Sequence, residues 1–173
     1  MFHNQYVRTK RFAALAGLGF VLVLTASAQS STTTINQSPG DYSRDTTVTG
    51  VNGKTATYQN NATWGNGSYT DNKSATGFNG KTATSSTTGT YAPGSTTRDT
   101  TVTGFNGKTT NYQNDRTWGN GTSTDTRSYT GVNGGTRTDT VSRSNGVVTN
   151  TFTGKNGNSR TTTHAAGFHR FRR

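Results

Sequence analysis

The residues able to do chemistry are few. The chain has no Cys, and its seven acidic side chains are all Asp, because Glu is absent. His164 and His169 stand near the end of the chain, in a basic stretch expected to be mobile. A nucleophile needs a positioned base, and Ser159 with His164 share that stretch rather than a rigid element. Paired carboxylates for glycoside hydrolysis would have to come from repeat-equivalent residues such as Asp45 and Asp99, which read better as surface charges beside Arg44 and Arg98. No His/Cys cluster with metal-ligand spacing is present. The Gly- and Asp-rich calcium nonapeptide is missing too, and Asp71, Asp115 and Asp125 near Asn-rich turns read as turn chemistry. The expectation is a non-catalytic protein with no cofactor and no metal.

What remains is aromatic and basic. Tyr58, Trp64, Tyr91, Tyr112 and Trp118 have the ring faces that stack on sugars. With so few other apolar residues, they are read first as packing columns of the core. The formal net charge is +11. Arg160, Arg170, Arg172 and Arg173 lie in the last 16 residues, with Phe168 and Phe171 between them. Charge plus stacking there suits salt-sensitive binding to an anionic polysaccharide or lipid surface. No specific nucleic-acid function is expected.

The elements that must position these residues come from a repeat. Arg44 to Gly67 (RDTTVTGVNGKTATYQNNATWGNG) returns almost intact as Arg98 to Gly121 (RDTTVTGFNGKTTNYQNDRTWGNG). The underlying period is half that offset. Gly-x-Asn-Gly occurs at Gly50–Gly53, Gly77–Gly80, Gly104–Gly107 and Gly131–Gly134, 27 residues apart each time, with a fifth, early copy at Gly154–Gly157. A second turn falls midway, at Trp64-Gly65-Asn66-Gly67, Tyr91-Ala92-Pro93-Gly94, Trp118-Gly119-Asn120-Gly121 and Arg143-Ser144-Asn145-Gly146. A fixed period of this size marks a repeat architecture.

Asn-Gly between alternating residues is a strong hairpin signal, because both residues tolerate the positive φ of a type I′ turn. Asn52-Gly53, Asn79-Gly80, Asn106-Gly107 and Asn133-Gly134 are the expected turn formers. The segments between are rich in Thr, with Val, Tyr and Phe at intervals, which favours strands. The fold class expected is all-β: tandem ~27-residue strand-turn-strand repeats forming an extended antiparallel meander or a β-solenoid, partly disordered as a monomer. With a two-residue turn at Asn52-Gly53, Val51, Ala56, Tyr58, Ala62 and Trp64 share one face and Thr55, Thr57 and Gln59 the other. A bulge at Gly50 changes that assignment. In-register copies would bring Val48, Ala75, Val102 and Tyr129 into one column, Val51, Phe78, Phe105 and Val132 into a second, and Trp64, Tyr91 and Trp118 into a third. Thr-x-Thr triplets such as Thr47–Thr49 and Thr101–Thr103 would set hydroxyls ~6.7 Å apart along a strand and ~4.8 Å across strands. Such a grid resembles those of ice-binding β-solenoids. The plainer reading, that Thr is a good solvent-facing strand residue, is the one taken.

Residues 1–28 read as an export signal. Arg8, Lys10 and Arg11 precede an apolar run from Phe12 to Leu24, and Ala26-Ser27-Ala28 is a small-x-small cleavage site. At about 13 residues the run is short for a bilayer span, so no transmembrane segment is expected in the mature chain from Gln29. Every Leu and the single Met lie within this segment. The remainder lacks the aliphatic residues of a helical bundle or an ordinary globular core, and its composition lies near the disordered class. The organisation expected is a signal at 1–28, a polar linker or poor first strand at 29–42, the β-repeat array at 43–157, and a basic flexible tail at 158–173.

The TGxNGKTxT run, at Thr49 to Thr57 and again from Thr103 to Thr109, resembles a Thr/Gly/Asn-rich repeat of uncharacterised exported bacterial proteins, a resemblance covering most of the mature chain. Gln59-Asn60 and Gln113-Asn114, at equivalent positions in strand-turn-strand repeats behind an export signal, give an architectural likeness to curli-type fibre subunits. That likeness implies self-assembly. The functional expectation is an exported structural or cell-surface/extracellular-matrix protein, secreted or periplasmic. The alternatives are a polysaccharide- or envelope-binding module and a disordered basic adhesive polypeptide.

Overall fold

The structure is a computed structural model that describes residues 28–166. Eleven strands make up the described chain: β1 (Ala28–Ser38), β2 (Asp41–Gly50), β3 (Thr55–Gly65), β4 (Ser68–Thr76), β5 (Thr82–Ala92), β6 (Ser95–Thr103), β7 (Thr109–Gly119), β8 (Thr122–Thr130), β9 (Thr136–Ser144), β10 (Val147–Thr153) and β11 (Ser159–Ala165). They follow one another in chain order as an antiparallel meander without crossovers. Of the two architectures expected, the meander is the one found. No helix among the described residues is long and apolar enough to cross a membrane.

Two kinds of turn alternate, and the sequence difference between them is a matter of flanking residues. Between β3 and β4, Gly65 pairs with Ser68, leaving a two-residue loop. Asn66 at φ 49° and Gly67 at φ 72° give the type I′ geometry that matches strand twist. Asn120-Gly121 and Asn145-Gly146 repeat it. Pro39-Gly40 and Pro93-Gly94 fill the same slot with Gly at φ 81°, the type II pattern with Pro ahead of it. These turns are tied to the next strand: the Trp64 amide donates to the Gly40 carbonyl at 2.9 Å and the Trp118 amide to that of Gly94 at 2.8 Å.

The Gly-x-Asn-Gly turns differ from expectation. The Gly53 amide donates to the Gly50 carbonyl and the Gly50 amide to the Lys54 carbonyl, each at 2.9 Å. This is a three-residue loop, a type I turn closed by a glycine in the left-handed region. Asn52, Asn79, Asn106 and Asn133 do not have positive φ; only the following Gly does. The Asn side chain is spent instead on its own loop, with Asn52 Oδ1 accepting from the Lys54 amide at 3.1 Å and Asn79 Oδ1 from that of Lys81 at 3.0 Å. That side chain also explains the leading glycine, since a Cβ on Gly77 would stand 3.1 Å from Asn79 Oδ1. The loop removes Val51 from the face assigned to it and leaves it exposed.

Two other boundaries move. Residues 29–42, expected as a linker or poor first strand, run in full register from Ser30↔Thr49 to Ser38↔Asp41. Ser159–Ala165, placed in the flexible tail, forms β11 and pairs along its length with β10. The export signal expected at 1–28 lies outside the described residues except for Ala28, and the tail residues Arg170, Arg172 and Arg173 lie outside them too.

Internal contacts distinguish two units: residues 28–86 with Val102–Lys108, and Thr87–Thr101 with residues 109–166. In the first unit, Ile35, Arg44, Thr46, Val48, Ala56, Tyr58, Ala62, Trp64 and Ala75 fall on one face by strand alternation and register. Val48, Ala56, Ala75 and Ala83 are its buried apolar residues. The half-buried Phe78 contributes cover, its ring 3.5 Å from where a Cβ on Gly50 would stand. The opposite face carries Thr47, Thr57, Gln59, Asn61, Thr63, Thr70, Ser74 and Thr76. In the second unit Val148 is the buried apolar side chain.

Candidate functional site

The rings expected to be the core are mostly at the surface. Trp64, Tyr91 and Trp118 are exposed, and Tyr58 and Tyr112 are half-buried. The buried Val48, Ala56, Ala75 and Ala83 lie within two residues of the strand ends that carry the Gly-x-Asn-Gly loops, where the half-buried Tyr58 and Phe78 stand beside them. Trp64, Tyr91 and Trp118 lie at the opposite ends of their strands. Repeat-equivalent positions also sit on alternate strands, so an intervening strand separates the members of each expected column. Val48 faces Ala56, and Ala75 faces Tyr58. Of the second column, Phe78 is half-buried, whereas Val51, Phe105 and Val132 are exposed.

The hydroxyl face is knit to itself. Thr63 and Thr70 hydroxyls lie 2.8 Å apart, Thr76 and Thr82 2.9 Å, Thr90 and Thr97 2.8 Å, and Thr130 and Thr136 2.8 Å. In each pair one hydroxyl donates to the other, so the Thr array spends donors on cross-strand pairs that reinforce register. The first unit adds Ser74 to Gln59 and Ser86 to Asn72, the latter at 2.6 Å. These line a shallow groove of about 250 Å³ with Asn61, Lys73 and Thr84.

The other face of β7–β11 is chemically different. Register and alternation bring Arg116, Arg127, Arg137, Arg143 and Arg160 to it, all exposed, against Asp125 and Asp139. On the hydroxyl side of the same strands the only charged residue is Asp115. The exposed rings Trp118, Tyr129 and Phe152 stand among the arginines, each beside one of them. The Arg116 guanidinium lies 5.7 Å from the Trp118 ring centroid, Tyr129 pairs across strands with Arg137, and Phe152 with Arg160. Two of the rings lie along their own strands over a glycine. A Cβ on Gly131 would stand 3.6 Å from the Tyr129 ring, and one on Gly154 3.8 Å from that of Phe152.

One carboxylate organises the centre of this face. Arg127 donates to Asp125 Oδ2 at 2.7 Å and the Asn114 amide to Asp125 Oδ1 at 2.6 Å. Burial pushes the Asp125 pKa up. The hydrogen bonds from Arg127 and Asn114 and the charges of Arg127 and Arg116 outweigh it, and the net shift is downward. The Arg127 pKa is raised by its hydrogen bond to Asp125. Arg116, Arg137, Arg143 and Arg160 have no salt bridge among the described residues. Asp71, the repeat equivalent of Asp125, pairs with Lys73 in the first unit.

Sequence reasoning named Trp118 and Tyr112 but not the arginines of β7–β9. The signal was available in the 54-residue comparison: where the first copy has Ala62, Lys73, Ala75 and Ala83, the second has Arg116, Arg127, Tyr129 and Arg137. Among the described residues no group of three or more His, Cys, Asp or Glu could hold a metal ion. No protein-family model, no curated protein and no solved structure matches the chain.

Proposed function

We propose that this is an exported, non-catalytic structural protein that associates with further copies of itself through its sheet edges, as a component of a cell surface or extracellular matrix. The observation that carries this reading is the outer edge of β1. Among the described residues β1 is paired with β2 alone. It is 11 residues long and has neither a charged residue nor a proline. Sheet proteins that remain monomeric ordinarily blunt such an edge with Lys, Pro or a bulge; the register shift of β1 lies at its very start, between Ala28 and Ser30, and Ser30–Ser38 run on in unbroken register. At the other end, β11 carries Arg160 and His164. Thr, Asn and Gln along β1 suit pairing with another chain, and Lys54, Lys81 and Lys108 in the loops oppose it as gatekeepers. The export reading is supported by the basic, apolar and small-residue succession over 1–28.

Sedimentation velocity and far-UV circular dichroism of the chain from Gln29, over rising concentration, test the proposal. Association with strengthening β signal is expected. Ile35→Glu should suppress it: Ile35 is exposed and faces Arg44, so the carboxylate gains a partner in the fold while charging the edge. A monomer at all concentrations, or assembly indifferent to Ile35→Glu, overturns the proposal.

A further inference from the structure

The arginine face of β7–β11 is unexplained by edge pairing, which uses backbone groups at a sheet margin. We propose that this face binds a linear acidic polysaccharide, its rings stacking on sugar faces and its arginines taking the anionic groups. Three features converge on that class of ligand.

The first is segregation. Five arginines lie on one side of β7–β11 and none on the other. Charge serving solubility alone has no reason to respect strand alternation. A surface that meets a polyanion does, because only one side faces the ligand. The second is pairing. Trp118 with Arg116, Tyr129 with Arg137 and Phe152 with Arg160 repeat one arrangement, a ring beside a guanidinium. A ring accepts the C–H face of a pyranose, and a guanidinium fork matches a carboxylate or sulfate with two parallel hydrogen bonds. An acidic sugar presents both chemistries in one residue. Tyr129 and Phe152, which reach along the strand towards Gly131 and Gly154, are each 48% exposed, open to a stacking sugar. The third is spacing. Neighbouring strands are ~4.8 Å apart, close to the length of one sugar ring in a linear chain. A polysaccharide crossing the strands therefore meets successive strands with successive residues.

The repeat supplies an internal comparison. Ala62, Ala75 and Ala83 occupy the positions of Arg116, Tyr129 and Arg137, and Ala75 and Ala83 are buried where Tyr129 and Arg137 are exposed. The same backbone pattern thus appears once as a packed surface and once as a charged one. The choice of polysaccharide over nucleic acid or lipid rests on the exported placement proposed above. The face itself does not depend on self-association.

The test is retention of the purified chain on immobilised polyuronate and on dextran sulfate across a salt gradient, with single-stranded DNA and phosphatidylglycerol vesicles as competing ligands. Retention on one or both glycans is expected, weakening as salt screens the charges. A response to polyuronate alone assigns the arginines to carboxylates, and one to dextran sulfate alone assigns them to sulfates. The triple variant Arg137→Ala, Arg143→Ala, Arg160→Ala should lose about tenfold or more in affinity, at least one such charge-assisted contact. Trp118→Ala should weaken glycan binding more than binding to inorganic polyphosphate, which has no face to stack. Arg44→Ala, on the first unit, should leave retention unchanged. Ile35→Glu should do the same, so that failure of self-association and failure of glycan binding read out separately. Unchanged retention in the triple variant, equal loss in Arg44→Ala, or tighter binding of DNA or vesicles than of either glycan overturns the proposal.

Discussion

The two long copies of the repeat share a backbone and differ in what one face is for. In the first unit, Ala75 and Ala83 are 2% and 1% exposed; the equivalent of Ala75 in the second, Tyr129, is 48% exposed. The hydrogen-bonded frame barely changes. Gly77 and Gly131 close the same loop with the same two bonds, and the Thr130–Thr136 hydroxyl pair at 2.8 Å repeats Thr76–Thr82 at 2.9 Å. The lesson is that the meander is specified by turns and hydroxyl ladders, which recur, while the other face diverges from a packed surface to a charged one.

The sharpest way to break this comparison is to exchange residues between units. Ala83→Arg forces a charged side chain into a site with no space and no partner, and should cost about 3 kcal/mol or more in urea unfolding. Arg137→Ala, the reverse exchange at the equivalent position, should fall within about 0.5 kcal/mol, as exposed substitutions do. Similar costs for both would mean that the two faces are not energetically distinct.

A second exchange sharpens the claim that the frame is shared. Gly40 and Gly94 both hold φ 81°, and a Cβ on either would stand 2.8 or 2.9 Å from the carbonyl oxygen of Trp64 or Trp118. Alanine at either position pays for left-handed strain and also displaces backbone, so each should lose about 2–3 kcal/mol, and by equal amounts. Gly67→Ala has comparable φ but open space around it, and should lose only about 1–2 kcal/mol. Unequal losses at Gly40 and Gly94, measured by thermal and urea unfolding, would show that the units differ in backbone as well as in side chains.

How much of this was legible follows from which interactions are local. The period, the strands and the meander could be read because each turn is written in a few adjacent residues. The distinction between Asn66-Gly67 and Asn52-Gly53 was harder. Both are Asn-Gly, and only the leading Gly50, with Asn52 Oδ1 folded back on the Lys54 amide, marks the longer loop. The first strand was underestimated because Ser, Thr, Asn and Gln over 30–38 carry no apolar alternation, yet their backbone pairs with β2 regardless. Ring burial could not be read at all. Trp64 and Trp118 look like core by composition, and whether a ring is covered depends on layers that no short stretch encodes. The arginine face lay in plain view residue by residue, but Arg127, Arg137 and Arg160 share a side only once the register of four strands is known.

The smallest expected effect concerns the acid at the centre of that face. Asp71–Lys73 and Asp125–Arg127 are equivalent pairs, and the second adds a guanidinium fork and the Asn114 amide. Because the Asp125 pKa in the folded chain is held below its ordinary value of 3.8, its contribution to stability is present above that value. It is lost as pH falls through the lowered one. Urea unfolding of the chain and of Asp125→Asn should therefore show a small difference at pH 5 that closes as the solution is acidified below pH ~3.8. The same substitution frees Arg127 from its carboxylate, so at neutral pH it should strengthen retention on dextran sulfate even as it slightly weakens the fold. Opposite movements of stability and binding would separate the two tasks of this face, since a carboxylate that merely braced the sheet would lower both.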